Sequence, residues 1–270
     1  MKLSNALGVV FLWIVSSFAL PLEEKRQNLA TVYYSCTQPN TVAFTFDDGP
    51  WIYSDQIVSF LRDQGVKATF FFNGNNYDCI YNTDAMNRVK NVYNNGHMVA
   101  SHTWRHAHLT TLDWDHIHDE MWRVEQALWR IVGAYPAFVR APYGEFNDLV
   151  RQVAAARGQN LVQWDYEYAL HHPAFFEAWN LKTLPSSGDS FGKSADDVKN
   201  GYADLIRQHP NTILTLNHET LQVTATDAMY TVIPALKNAG YNLVTVAECL
   251  GMQPYQRVGS PQTPDSSWTC

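Results

Sequence analysis

Apolar and polar residues follow two rhythms along this chain. Short apolar runs of strand type fall near 42–46, 68–72, 98–101, 137–140, 160–164, 212–217 and 242–246. Between them, apolar residues recur three and four apart. That spacing predicts helices over 52–63, 84–94, 113–132, 147–157, 195–208 and 226–239. The 113–132 segment is the clearest, with Ile117, Met121, Val124, Leu128 and Ile131 on one face. Gly65, Gly96, Gly158 and Gly240 follow helical patterns, where a left-handed cap commonly ends a helix. Strand–helix alternation of this kind predicts an α/β fold with a parallel sheet. About seven such units would close into an incomplete, distorted TIM-like (β/α)7 barrel, as a single domain, with its active site at the C-terminal strand ends.

The first strand ends on chemistry. Val42-Ala43-Phe44-Thr45-Phe46 runs into two adjacent carboxylates, Asp47 and Asp48, and Gly49-Pro50 then turns the chain. Two acids at the rim of an apolar core are costly unless a cation compensates them. The plainer alternative is a turn in which Asp47 or Asp48 caps the helix starting near Trp51.

Later strand ends deliver further polar groups. The third is followed by Ser101-His102-Thr103-Trp104-Arg105-His106. Histidines four apart share a face if the segment is helical, so both could reach one metal ion. Two imidazoles and a carboxylate suit Zn²⁺, with Co²⁺ as the other candidate. His97, His108, His116 and His118 are expected to be surface or structural residues. Arg140 closes the fourth strand, where it could hold one carboxylate ionised, and the sixth delivers Leu216-Asn217-His218.

Composition narrows the setting. The 270 residues are 46% hydrophobic, enough for one sizeable core. A net charge of −7, with no basic run beyond Lys25-Arg26, argues against nucleic acid as a partner. Lys2 and the apolar run from Ala6 to Leu20 resemble an export signal over residues 1–20, with Ser17 and Ala19 suited to cleavage. A retained anchor is the alternative; after cleavage no membrane association is expected. A pro-peptide over 21–26 would leave a catalytic domain at 27–250 and an irregular tail, rich in Pro, Ser and Gln, at 251–270. Four cysteines in an exported chain suggest two disulfides with three possible connectivities. Neighbouring first and last barrel strands favour Cys36–Cys249, leaving Cys79–Cys270.

Taken together, Thr-Phe-Asp-Asp-Gly-Pro (45–50), His-Thr-x-x-His (102–106), Arg-x-Pro-Tyr (140–143) and Leu-x-His (216–218) resemble the signature of the polysaccharide deacetylases, the NodB-homology domains of carbohydrate esterase family 4. The resemblance spans 42–246. It implies that Asp48, His102 and His106 bind the metal and that Asp47 is the general base for the attacking water. It further implies that His218 is the general acid, that Arg140 holds Asp47, that the Tyr143 backbone N–H stabilises the oxyanion, and that Leu216 lines the acetyl pocket.

One family motif is interrupted. Gln163-Trp164-Asp165-Tyr166 begins it, but Glu167-Tyr168-Ala169-Leu170 does not continue it, and Ser187-Gly188-Asp189-Ser190 supplies the remainder later. Excising 167–186 would restore the pattern. Glu167-Tyr168 can be encoded with a splice donor and Ser186 with an acceptor, and the rejoined codon reads Asp. An intron retained in frame is one reading; a real loop over the cleft, with Phe175, Phe176, Trp179 and Leu181, is the other. Either way, Asp189 is carried over as the acid that tunes His218.

The implied activity is metal-dependent removal of N-acetyl groups from N-acetylglucosamine polymers by a secreted monomer, extracellular or in the cell wall. A fungal-type dibasic pro-peptide favours chitin or chitooligosaccharides as substrate. An O-acetyl xylan esterase and a carbohydrate-binding pseudoenzyme with a blocked cleft are the alternatives.

Overall fold

The computed structural model describes residues 28–165, 189 and 192–270. The chain opens with β1 (Val32–Tyr33), β2 (Thr41–Ala43) and β3 (Thr45–Asp47), then α1 (Ser54–Gln64), β4 (Thr69–Phe72), α2 (Thr83–Asn94) and β5 (Met98–Ser101). Next come α3 (Trp114–Val132), β6 (Ala134–Pro136), β7 (Phe138–Val139), α4 (Asp148–Ala156) and β8 (Asn160–Val162). The rest is α5 (Ala195–Gln208), β9 (Thr212–Leu214), β10 (Asn217–His218), α6 (Met229–Asn238), β11 (Asn242–Val244), α7 (Val246–Leu250) and β12 (Tyr255–Val258).

The strands form two parallel ladders, β1-β8-β7-β5-β4-β3-β10 and β11-β2-β9. With the helices outside, this is the incomplete, distorted β/α barrel that the alternation predicts. The first predicted strand is broken at Phe44. Below the break β2 lies between β11 and β9; above it β3 lies between β4 and β10. The predicted 212–217 strand breaks in step, into β9 and β10. At the break a side chain stands in for the ladder: the Thr45 N–H donates to the Thr215 hydroxyl at 3.1 Å. Among the described residues no backbone ladder joins the two ends of the large sheet, β1 and β10.

The core forms as the pattern dictates. Phe44, Phe46, Phe70 and Phe72 are buried, and successive rings lie 5.3, 5.0 and 5.9 Å apart. Ile117, Met121, Val124, Leu128 and Ile131 of α3 are all buried, and Asp113 caps that helix by accepting from the His116 N–H. Both expected disulfides are present, Cys36–Cys249 and Cys79–Cys270. Among the described residues no helix is long and apolar enough to cross a membrane.

The tail corrects one expectation. Residues 251–270 were expected to be irregular, but β12 pairs antiparallel with β6. Pro, Ser and Gln carry little strand signal, so tertiary partners decide. The Gln256 amide donates to the carbonyls of Pro136 and Arg157, each at 2.8 Å, and Arg257 lies over the rings of Trp129 and Tyr135. The proposed leader at 1–20 and pro-peptide at 21–26 lie outside the described residues, as does the segment 167–186.

Phe46 precedes Asp47 in β3 and packs on Phe44 and Phe70, so Phe46→Ala removes a fully buried ring from the strand that carries Asp47. The expected outcome is a loss of about 3–5 kcal/mol in urea unfolding, read as a lower midpoint with an unchanged slope.

Candidate active site

Strand register brings the polar residues to one rim. Asp47 pairs with His218 and with Phe71, Phe72 with Ser101, and Ser101 with Val139. Asp48, His102 and Arg140 are therefore each the first residue beyond an aligned strand end.

The two adjacent acids diverge. Asp47 is buried in an extended strand, while Asp48 has φ 72°, a left-handed conformation that aspartate tolerates better than most residues. Neither caps α1, whose N-cap is Tyr53 without a side-chain bond. The plain turn-and-cap alternative is therefore not what forms.

His102 and His106 do meet Asp48, but not by helical spacing. The segment is a turn with Thr103 at φ 69° and His106 at φ 56°. The Asn73 side-chain amide holds this turn, donating to the carbonyls of His102 and Thr103 at 2.5 and 3.0 Å. A Cβ on Gly74 would lie 1.8 Å from the Trp104 ring, so the turn packs directly on that glycine. Nε2 of His102 and of His106 lie 3.5 and 3.3 Å from Asp48 Oδ1.

The ligand atoms of Asp48, His102 and His106 all lie within 4.8 Å of one another. Asp48 Oδ1 is buried and has no hydrogen-bond partner among the described residues. An acceptor oxygen left bare between two imidazole nitrogens fits a cation. His102 Nδ1 donates to the Arg140 carbonyl at 2.8 Å, which leaves its Nε2 lone pair facing the site. Burial pushes both imidazoles down to about 3, keeping them neutral as metal ligation requires. Burial, with the neighbouring Asp47 adding to it, pushes the Asp48 carboxyl up to about 6.

Arg140 is no surface arginine. It is fully buried. Nη1 donates to Asp47 Oδ1 at 2.9 Å and to the Thr45 hydroxyl at 2.6 Å. Nε donates to the Val162 carbonyl, and Nη2 to those of Gln163 and Thr215. Burial pushes the Asp47 carboxyl above the usual carboxylate range, with the Arg140 charge pulling the other way.

Facing these groups is His218. Its Nδ1 lies 2.9 Å from Asp189 Oδ1. Asp189 also accepts from the His218 backbone N–H and from the Thr224 hydroxyl, both at 2.6 Å. Burial alone would lower the imidazolium; the charge and hydrogen bond of Asp189 outweigh it and hold His218 up at about 9. Those same contacts hold the Asp189 carboxyl low against its own burial.

Leu216 is buried two residues earlier in the same run. Tyr143 has φ 59° within a 3₁₀ turn over Pro142–Gly144, and its ring is exposed. That ring stands edge-on to His106 at 4.6 Å and stacks on His108 at 4.0 Å, where the His108–Glu145 pair flanks it. His97 is buried and accepts from the Ala68 N–H; His116 pairs with Asp113 and His118 stacks on Trp114. Those three play structural parts, whereas His108 lies on the rim. Asn73 was not singled out from the sequence, although its position one residue past a strand end could have flagged it.

Comparison with known proteins agrees with the geometry. The family model described as polysaccharide deacetylase matches residues 34–162. A chitin deacetylase of Pestalotiopsis sp is 33% identical over 237 residues, covering 86% of this chain and 72% of that protein. A chitin deacetylase of Colletotrichum lindemuthianum is 32% identical, covering 88% of this chain and 91% of its own length. The solved structure of the chitin deacetylase from Colletotrichum lindemuthianum superposes with a TM-score of 0.71 at 28% identity, over 86% of this chain and 96% of that one. With strand ends, acids and histidines in the places the motifs imply, the chain belongs to the polysaccharide deacetylase family and is a deacetylase hydrolase.

Proposed function

We propose that this chain is a secreted, metal-dependent chitin deacetylase that removes N-acetyl groups from chitin or chitooligosaccharides and releases acetate. The observation that carries the reading is the bare, buried Asp48 Oδ1 between the Nε2 atoms of His102 and His106, with Asp47 and His218 beside it. The relatives named as chitin deacetylases support the polymer, and two disulfides support an oxidising, extracellular setting.

In this reading Asp48, His102 and His106 hold a divalent metal, Zn²⁺ or Co²⁺. The chemistry such a cation supplies is Lewis acidity. Asp47, oriented by Arg140, takes a proton from the attacking water as its oxygen bonds to the acetamide carbonyl carbon. The Tyr143 backbone N–H donates to the carbonyl oxygen as negative charge develops there. His218 gives its proton to the amide nitrogen as the C–N bond breaks, leaving acetate and a free amine. Leu216 offers an apolar wall to the acetyl methyl group. Convergence of every acid, base and ligand residue disfavours the pseudoenzyme alternative. We read residues 167–186 as an intron retained in frame; sequencing the transcript tests this, and a message that keeps the segment overturns it.

Acetate release from chitooligosaccharides should stop after dialysis against a chelator and return with Zn²⁺ or Co²⁺. Activity that survives chelation would refute the metal dependence. His218→Ala should lower kcat by about 10²–10⁴-fold with little change in KM.

The acid role also fixes a pH limb. His218 must be protonated, a state present below about 9 and lost as pH rises through that value. Asp189→Asn removes the main group holding the proton on. The alkaline limb of kcat should then move to lower pH, and the imidazole titration followed by NMR should move with it. An unmoved limb would exclude Asp189 as the tuning acid.

A further inference from the structure

The residue after His218 is a buried acid that the mechanism does not use. Glu219 has no exposed surface, and its backbone N–H donates to the Asp47 carbonyl at 3.2 Å. Its side chain runs beneath the loop that carries Asp48. Oε1 accepts from the Trp51 N–H and from the Ser54 hydroxyl, both at 2.8 Å. Ser54 opens α1, and its hydroxyl also lies 2.7 Å from the Trp51 carbonyl. The loop backbone lies directly on the carboxyl group: a Cβ on Gly49 would be 1.8 Å from Oε1 and 2.2 Å from Cδ. From the other side, the Asn73 N–H donates to the Gly49 carbonyl at 2.8 Å.

Asp48 is thus bracketed by one residue. The strand position before it is tied to the Glu219 backbone, and Gly49 and Trp51 after it rest against the Glu219 side chain. A ligand held at φ 72° needs such support, because an unsupported residue leaves the left-handed region readily. We propose that Glu219 is a positioning residue for Asp48: it fixes the Gly49–Ser54 segment and thereby holds the Asp48 carboxylate against His102 and His106. This rests on the reading of Asp48 as a metal ligand. What it asks of Glu219 is an acceptor of the right shape, not a charge. Burial pushes the Glu219 carboxyl up to about 8, and Glu219→Gln keeps its shape and its Oε1 acceptor.

The test compares the wild-type chain with Glu219→Gln, Glu219→Ala, Gly49→Ala and Ser54→Ala. Two readouts are used: amide hydrogen exchange over residues 48–54 in metal-free protein, and Co²⁺ affinity from its visible absorption. Glu219→Gln should match wild type in both. Glu219→Ala and Gly49→Ala should speed exchange in that segment and weaken Co²⁺ binding by about 10–100-fold, the range seen when the support of a metal ligand is lost. Ser54→Ala removes one of the two donors to Oε1 and should move both readouts the same way by less. It keeps the proposal testable should Glu219→Ala fail to fold.

Wild-type exchange and affinity in Glu219→Ala, or in Ser54→Ala, would overturn the proposal. So would a Glu219→Gln protein as impaired as Glu219→Ala. A wild-type chain that binds no Co²⁺ would instead refute the ligand role of Asp48, while the exchange comparison would still decide whether Glu219 fixes the loop.

Discussion

A single buried cation ties the site to the barrel. Arg140 loses its hydration entirely on folding, which costs several kcal/mol unless its donors are met and its charge is paired. Both conditions hold. Asp47 supplies the charge, and the remaining donors reach Thr45, Thr215, Val162 and Gln163. Those acceptors lie in or just past β3 and β8 and between β9 and β10, and among the described residues no ladder pairs β8 with β9 or β10. The guanidinium spans that gap. The carbonyl of the same residue accepts a hydrogen bond from His102 Nδ1, so one residue orients both the proposed base, Asp47, and a proposed ligand, His102.

From this anchor the two neighbouring acids acquire different chemistry. Asp47 faces a guanidinium across 2.9 Å, while Asp48 turns through a left-handed residue to face two neutral imidazoles. In the proposed reading one carboxylate exchanges a proton and the other presents a bare oxygen to a cation. The same division recurs across the rim, where Asp189 spends its acceptors on His218 and Thr224 and keeps the imidazole charged. Environments that push titratable groups apart are what acid–base chemistry near neutral pH requires.

Much of this was legible in the sequence, for definite reasons. The α3 face was readable because its apolar spacing matches a helix, and the strand ends because each apolar run stops at a polar residue. The acids and histidines were found by position and motif. The geometry joining His102 to His106 was not: spacing suggests a helix, whereas Asn73 and Gly74 impose a turn. β12 was missed because its partners lie more than a hundred residues earlier, in β6 and α3. Glu219 was invisible for a similar reason. Its role depends on the close approach of Gly49, which only the fold brings about.

In the proposed reading Asp48, His102 and His106 share one divalent cation. Crystals of the chain grown with Zn²⁺, measured at the zinc absorption edge, test it directly. A single strong anomalous peak is expected at about 2.0–2.2 Å from Asp48 Oδ1 and the Nε2 atoms of both histidines. No peak at that position, or a peak ligated by Asp47 in place of Asp48, would contradict it.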